Sequence, residues 1–388
     1  GTVTLNGTIA RSNDATVLGA VTSGSATTID TNAANTTGDI TIGAVTSSNL
    51  NLTLDTTGTS GSADHTFTGD IRLGSGGALS VTGDAVLGAN VLIIAGGITF
   101  NNNINADNAT NNDRTLTMSS GTSATISVAG NVGNSQALAG LTITQSNATT
   151  FSGSVDVSDS NSGTITLTDT QNNKHIRFEG NLTADNLTTA AQGYRLFLIG
   201  DTTIFTNAVT FQNTSNIALG NDVGDTLTFN GGLTTTSVGG TVFLSGTIAT
   251  SNDAVVLGAV TLGSATTVDT NASSDAADIT IAAITGGSNN LTLSTGDNIT
   301  GADITASGAI SGVTTLTLAS VGGTATFSNN VSTTDLTVGN TVANVRFNGG
   351  TNTFTNAVTF QNDGTLTFGD ATGDSFTFNG GLTTSSVA

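Results

Sequence analysis

"FTNAVTFQN" occupies residues 205–213, and the same nine letters return at 354–362. None of these side chains is a ready nucleophile, base or metal ligand, so the repeated object is a shape, and its period comes first. The stretch belongs to a register of 149 residues, in which "FNGGLTT" also recurs (Phe229, Phe378). A second register, of 239 residues, lays "TVTLNGTIARSNDATVLGAVTSGSATTIDTN" from Thr2 onto "TVFLSGTIATSNDAVVLGAVTLGSATTVDTN" from Thr241. It continues without a gap through "DITI" (Asp39, Asp278) to "NLTL" (Asn51, Asn290). The two offsets together equal the length of 388, so the chain reads as two tandem units, 1–239 and 240–388, the first longer by 90 residues. They are expected to form one continuous rod without a linker.

A shorter beat runs inside each unit: an inward residue, a polar one, Gly or Asn, a small residue, then Val, Ile or Leu. It appears as "LNGTI" from Leu5, "FTGDI" from Phe67, "FNNNI" from Phe100, "VAGNV" from Val128, "FSGSV" from Phe151, "FEGNL" from Phe178, "FTNAV" from Phe205 and "FSNNV" from Phe327. Runs such as "TLTMSS", "LTITQS" and "TLTFNG" alternate with period two, Leu, Ile, Met or Phe on one face and Thr on the other, as a half-buried strand requires. β-branched residues dominate, and Gly or Asn interrupts every segment, so helices have little support. The spacing predicts an all-β parallel β-helix (β-solenoid) of about 16 coils at ~24 residues each. In it Phe or Leu points inward, Gly or Asn takes a positive-φ or bulged corner, and stacked coils place Phe over Phe and Asn over Asn. The predicted core ladder is Phe67, Phe100, Phe151, Phe178, Phe205, Phe229, Phe327, Phe354 and Phe378.

Composition supports a folded but monotonous chain. There are 50 Gly, no Pro, no Cys and no Trp, and 9% charged residues, where roughly 25% is usual. Disorder fits poorly with 36% hydrophobic residues and a mean hydropathy of +0.13. A net charge of −20 argues against nucleic acid and against anionic membrane surfaces, both of which require a basic face. The longest apolar run, "VLIIAGGI" from Val91, is far short of the ~20 residues of a membrane helix, so no membrane insertion is expected. Zero cysteine excludes a disulfide framework and is compatible with secretion of unfolded chain.

The coil beat, the Thr/Asn/Gly/Ala-rich, Cys-free composition and the long imperfect tandem units resemble the shaft of a filamentous-haemagglutinin-like exoprotein or autotransporter passenger. The resemblance implies a right-handed parallel β-helix, secreted to the bacterial cell surface, with a structural or adhesive role. Such exoproteins begin with a secretion domain carrying an Asn-Pro-containing motif; this chain has no proline, so the resemblance places it in the shaft.

Chemistry is sparse. The densest candidate is "NNKHIRFEG", where His175, Arg177 and Glu179 share the outward face while Ile176 and Phe178 point in. It could serve a polysaccharide-active β-helix enzyme; the simpler reading is a solvated strand face with its own charge pairing. The turns "GNDVGD" (Asp222, Asp225) and "GDATGD" (Asp370, Asp374) suit Ca²⁺, the only cofactor considered, but Asp beside Gly is also good turn chemistry. "DSNSG" at Asp159 lacks the distal glutamate of a calcium loop. Thr-x-Thr pairs (Thr115 and Thr117, Thr142 and Thr144) admit an ice-binding face, although Thr is simply a good exposed strand residue. Neither "GTVTLNG" nor "FNGGLTTSSVA" reads as a solenoid cap, since each has an interior copy. The expected partner is therefore the chain itself, end to end, with cell-surface glycans as a second class; no catalytic residue is assigned.

Overall fold

The computed structural model describes residues 3–31, 38–57, 63–107, 114–158, 162–273, 277–296, 301–384 and 387. All regular elements among them are β-strands, paired in parallel into a β-solenoid of about 15 turns with coils about 24 residues apart. The chain divides into two compact units, 1–200 and 201–388. The repeat boundary at Gly240 falls inside the second: Val242–Ala249 stacks on Ile217–Leu219 and Thr226–Phe229 as any other coil does.

Residues 115–198 show how sequence makes a coil. Thr115–Ser119, Gly140–Gln145, Thr164–Leu167 and Asn186–Thr189 form one column of strands in unshifted register over most of their length (Leu116↔Leu141↔Ile165↔Leu187). Thr125–Val128, Ala148–Phe151, His175–Phe178 and Arg195–Leu198 form a second column. Val132, Val155–Val157 and Leu182–Ala184 start a third, just past the corner that ends the second. The alternation puts Leu116, Met118, Leu141, Ile143, Ile165 and Leu167 wholly in the interior while Thr115, Thr117, Thr142 and Thr166 stay half-exposed. Each such apolar side chain contributes about 1.5–3 kcal/mol on leaving water.

Eight of the nine predicted ladder phenylalanines are buried; Phe378 is not. It stacks on Phe354 at 5.0 Å but stays half-exposed, because no described strand lies on the far side of Ser375–Phe378. Nor do the nine form a single ladder. In the first unit Phe100, Phe151 and Phe178 share a column with Val81, Val128 and Leu198, whereas Phe67 belongs to another, beside Ile42 and Leu87, and meets Phe100 edge-on at 6.2 Å. In the second unit Phe205↔Phe229, Ala306↔Phe327↔Phe347↔Phe368 and Thr333↔Phe354↔Phe378 are separate columns. Several columns face one narrow interior, so aromatic rings reach it from more than one side. Rings in register lie nearly parallel (Phe151 and Phe178, 4.9 Å and 7°), and those from different columns meet edge-on, the two geometries that aromatic quadrupoles favour.

The corner glycines also differ from expectation. Of the beat positions, Gly7 and its copy Gly246 have positive φ (79° and 74°), but Gly69, Gly130, Gly153 and Gly180 do not. What they need is space: a Cβ on Gly153 would sit 2.5 Å from the Gly130 carbonyl oxygen, and one on Gly180 2.5 Å from the Gly153 carbonyl carbon. Successive corners press backbone on backbone, and only glycine fits. Asparagine works differently from plain Asn-over-Asn stacking: its side-chain oxygen accepts a backbone N–H of the next coil, as Asn131 Oδ1 does from Ser154 (2.8 Å), Asn103 Oδ1 from Asn131 (2.9 Å) and Asn290 Oδ1 from Thr315 (3.2 Å). Each such bond is worth about 1 kcal/mol and satisfies a corner donor that strand pairing misses.

Candidate functional site

The outward cluster read from "NNKHIRFEG" is real and larger than its own strand. His175 and Arg177 are half-buried on the outer face of His175–Phe178, and Arg177 Nε lies 2.7 Å from Glu179 Oε1. The next coil adds Arg195 and Phe197, since the register sets His175 beside Arg195 and Arg177 beside Phe197. The Arg177 guanidinium sits over the Phe197 ring, 5.8 Å from its centroid, and His175 meets the same ring edge-on at 6.3 Å. The Arg195 guanidinium is tied to the Asn173 carbonyl oxygen through Nε (2.8 Å) and Nη2. Burial, then the Arg177 and Arg195 charges, hold the His175 imidazole below its usual value, which keeps it neutral in ordinary buffer.

The turn entering this face is firmly built. Tyr194 is fully buried and donates to the Leu167 carbonyl at 3.1 Å, and burial pushes its phenol well above the usual value. Asn147 Nδ2 donates to Gln171 Oε1 (2.9 Å), and Gln145 Nε2 to Asp169 Oδ2 (3.3 Å). Thr122, Asp169, Gln171, Asn172 and Gln192 line an open groove of about 460 Å³.

The aspartate turns are not brought together and are occupied by their own backbone. Asp225 is buried, and its Oδ2 accepts from the N–H groups of Asn221 (2.7 Å) and Asp222 (3.0 Å). Asp374 Oδ2 repeats this with Asp370 (2.8 Å) and Ala371 (2.9 Å), and Asp222 Oδ1 accepts from Gly224 (3.1 Å). Each carboxylate closes a turn. No group of three or more His, Cys, Asp or Glu placed to hold a metal ion occurs among the described residues, and Asp159 lies outside them.

Sequence reasoning passed over His65. It is fully buried; Nε2 lies 2.9 Å from the Thr82 carbonyl and 3.3 Å from Thr56 Oγ1, so Nε2 carries the proton and Nδ1 is an acceptor without a partner. Burial lowers its affinity for a second proton despite the nearby Asp55, Asp84 and Asp39. On the preceding residue, burial and then the Asp84 and Asp39 charges push the Asp64 carboxyl up. The signal was available: His65 stands two residues before Phe67, so it shares that residue's inward phase.

Comparison of the chain with family models, with curated proteins and with solved structures returns no match. The class rests on geometry alone: a parallel β-solenoid built of tandem coils.

Proposed function

We propose that this chain is a structural or adhesive repeat segment of an extracellular bacterial fibre, akin to a filamentous-haemagglutinin-like or autotransporter shaft, whose coils continue end to end. What carries the reading is the seam between the two tandem units, which stack there as any other pair of coils does. In the interior copy, Ile217–Leu219, Thr226–Phe229 and Leu233–Thr234 lie under Val242–Ala249 and Val255–Leu257. The other copy of that surface, Leu366–Phe368, Ser375–Phe378 and Leu382–Thr383, is half-exposed or exposed, with Leu382 43% accessible. In the other copy of the covering coil, Val3–Ala10 and Thr16–Leu18, most residues are exposed, with Val3 45% accessible, while Leu5 and Thr16 are buried within their own coil. Carrying the interior register over pairs Leu366 with Val3, Phe368 with Leu5, Phe376 with Ile9 and Leu382 with Thr16. Such a seam would bury apolar edges that are costly in water, whether in a longer polypeptide or between subunits. The reading assigns no catalytic step and no cofactor.

The test uses the absence of cysteine. Thr4 and Thr367 are partners in that register and face outward, so Thr4→Cys combined with Thr367→Cys should give a ladder of covalent oligomers on mild oxidation, and fibres by negative stain. A chain that stays a discrete 38.2 kDa particle at high concentration, with no intermolecular crosslink, would overturn the proposal.

A further inference from the structure

We infer that the outer face of His175–Phe178 and Arg195–Leu198, together with the groove that opens at their leading ends, binds an acidic oligosaccharide, one carrying carboxylates on its sugar rings. The proposal does not depend on end-to-end stacking, and a permanently monomeric chain would bind as well.

Three features converge. The first is the ring. Phe197 faces outward while both of its strand neighbours, Leu196 and Leu198, are buried. A half-exposed phenylalanine adds nothing to the core, but its flat face is the platform on which the C–H face of a sugar can lie. Arg177 and His175 fix the ring's orientation from the preceding coil.

The second is charge. Lys174, Arg177 and Arg195 are three of the seven Lys and Arg in a chain with 27 acidic residues, and register gathers them within two coils. Glu179 and Asp169 are the acidic groups beside them; Glu179 is paired with Arg177 and Asp169 is held by Gln145. A basic island on an acidic surface concentrates anions locally, and a guanidinium matches a carboxylate in shape. Neutral His175 adds a hydrogen-bonding group without a further charge.

The third is the groove. Its lining of Thr122, Asp169, Gln171, Asn172 and Gln192 offers amide, hydroxyl and carboxylate groups, the donors and acceptors that sugar hydroxyls require. At about 460 Å³ it falls within the ~300–1,000 Å³ of ligand clefts. Its turn is anchored from below by Tyr194, so little ordering is lost on binding. Gln192 lies in the turn that leads into Arg195–Leu198, five residues before Phe197, so groove and ring are within about 16 Å of each other at ~3.3 Å per residue, close enough for one short oligosaccharide to touch both. An acidic peptide would use the charges but leave ring and amides idle, so the saccharide is favoured.

The probe is a hexagalacturonate titrated calorimetrically into the intact chain, beside cellohexaose and poly-glutamate. Saturable binding of the hexagalacturonate is expected, weakened about tenfold or more by Phe197→Leu and by Arg177→Gln, with Phe197→Tyr retaining it. Because Phe197 lies outside the core, the leucine variant should melt with the parent, which separates loss of the ring from loss of the fold. No saturable binding of hexagalacturonate would overturn the proposal, as would equal binding of cellohexaose. Binding of poly-glutamate at the same affinity, untouched by Phe197→Leu, would overturn it in favour of a charge-only peptide or self-association surface.

Discussion

Val3–Asp55 and Val242–Ser294 are one coil sequence in two settings. The pairing is identical, Val3↔Val21 matching Val242↔Val260 and Thr27↔Leu52 matching Thr266↔Leu291, down to the irregularity at Leu5/Gly7 and Leu244/Gly246. Burial is not. Val3 and Ile9 are open or half-open, whereas Val242 and Ile248 are sealed by the preceding coil. Local sequence fixes register without help, and burial arrives only with a neighbour. Inside, the copies diverge at Ser23 and Leu262 and, one coil further on, at Phe67 and Ala306 and at His65, which stands where the second copy has Ile304, between Ile40 and Ala85 rather than between Ile279 and Ala325.

The sharpest way to break this comparison is to cut the same aromatic in both settings. Phe229→Ala should cost about 3–5 kcal/mol in denaturant unfolding, and Phe378→Ala, on its half-open strand, about 1 kcal/mol. Equal losses would mean that coverage by the next coil contributes nothing. Next comes exchange of the interior residue. Ile304→His should cost about 2–3 kcal/mol at neutral pH, because a polar ring replaces a packed side chain.

That cost should grow in acid, and His65→Ile should do the reverse. The folded state holds His65 neutral where the unfolded imidazole, at its usual 6.5, takes a proton. Below 6.5 the unfolded chain therefore binds one proton more, and stability falls as pH drops towards the lowered folded value, by up to about 1.4 kcal/mol per pH unit. Asp64 works in the opposite sense, since its raised folded value means that the folded chain takes its proton first. Melting midpoints between pH 7 and 5 should show a slope in the parent that His65→Ile flattens; an unchanged slope would exonerate His65.

Glycine gives a smaller contrast. Gly180→Ala drives a Cβ into backbone and should cost about 1–3 kcal/mol, while Gly7→Ala meets open space and pays about 1 kcal/mol for its φ of 79°. The smallest effect is expected at the turns. Asp225→Asn and Asp374→Asn keep a side-chain oxygen for the same N–H groups, so each should shift stability by under about 1 kcal/mol, and EDTA should leave the melting midpoint nearly unchanged. A large EDTA effect abolished by these changes would install calcium after all.

Much of the fold was legible because a coil advertises itself twice, through period two within strands and through the Phe-to-Ile corner beat between them. Handover from coil to coil was less so. Phe197 could not be assigned to Arg177 from sequence, because the turn Gln171–Lys174 and the turn Ala190–Tyr194 differ in length and decide the register. The corner glycines looked like positive-φ residues because a single chain does not show what lies 2.5 Å away in the coil below. His65 was hidden by being single: clusters draw the eye, and a lone imidazole in phase with Phe67 does not.

The side-chain oxygens at the corners carry one more consequence. Asp39, Asn49, Asn51, Asn90, Asn103, Asn131, Asn216 and Asn290 all accept from residues 23 to 28 positions later in the chain. A finished turn thus presents an array of acceptors to the segment that follows it, and among the described residues the converse arrangement is rarer (Gly7 to Ser25, Gly83 to Asn102, Gly163 to Asp185, Val331 to Asn352). The molecule has an arrow. A chain emerging amino-terminus first would find each seat already laid as it arrived, so that folding could advance turn by turn at the pace of its emergence, like a zip that closes in only one direction.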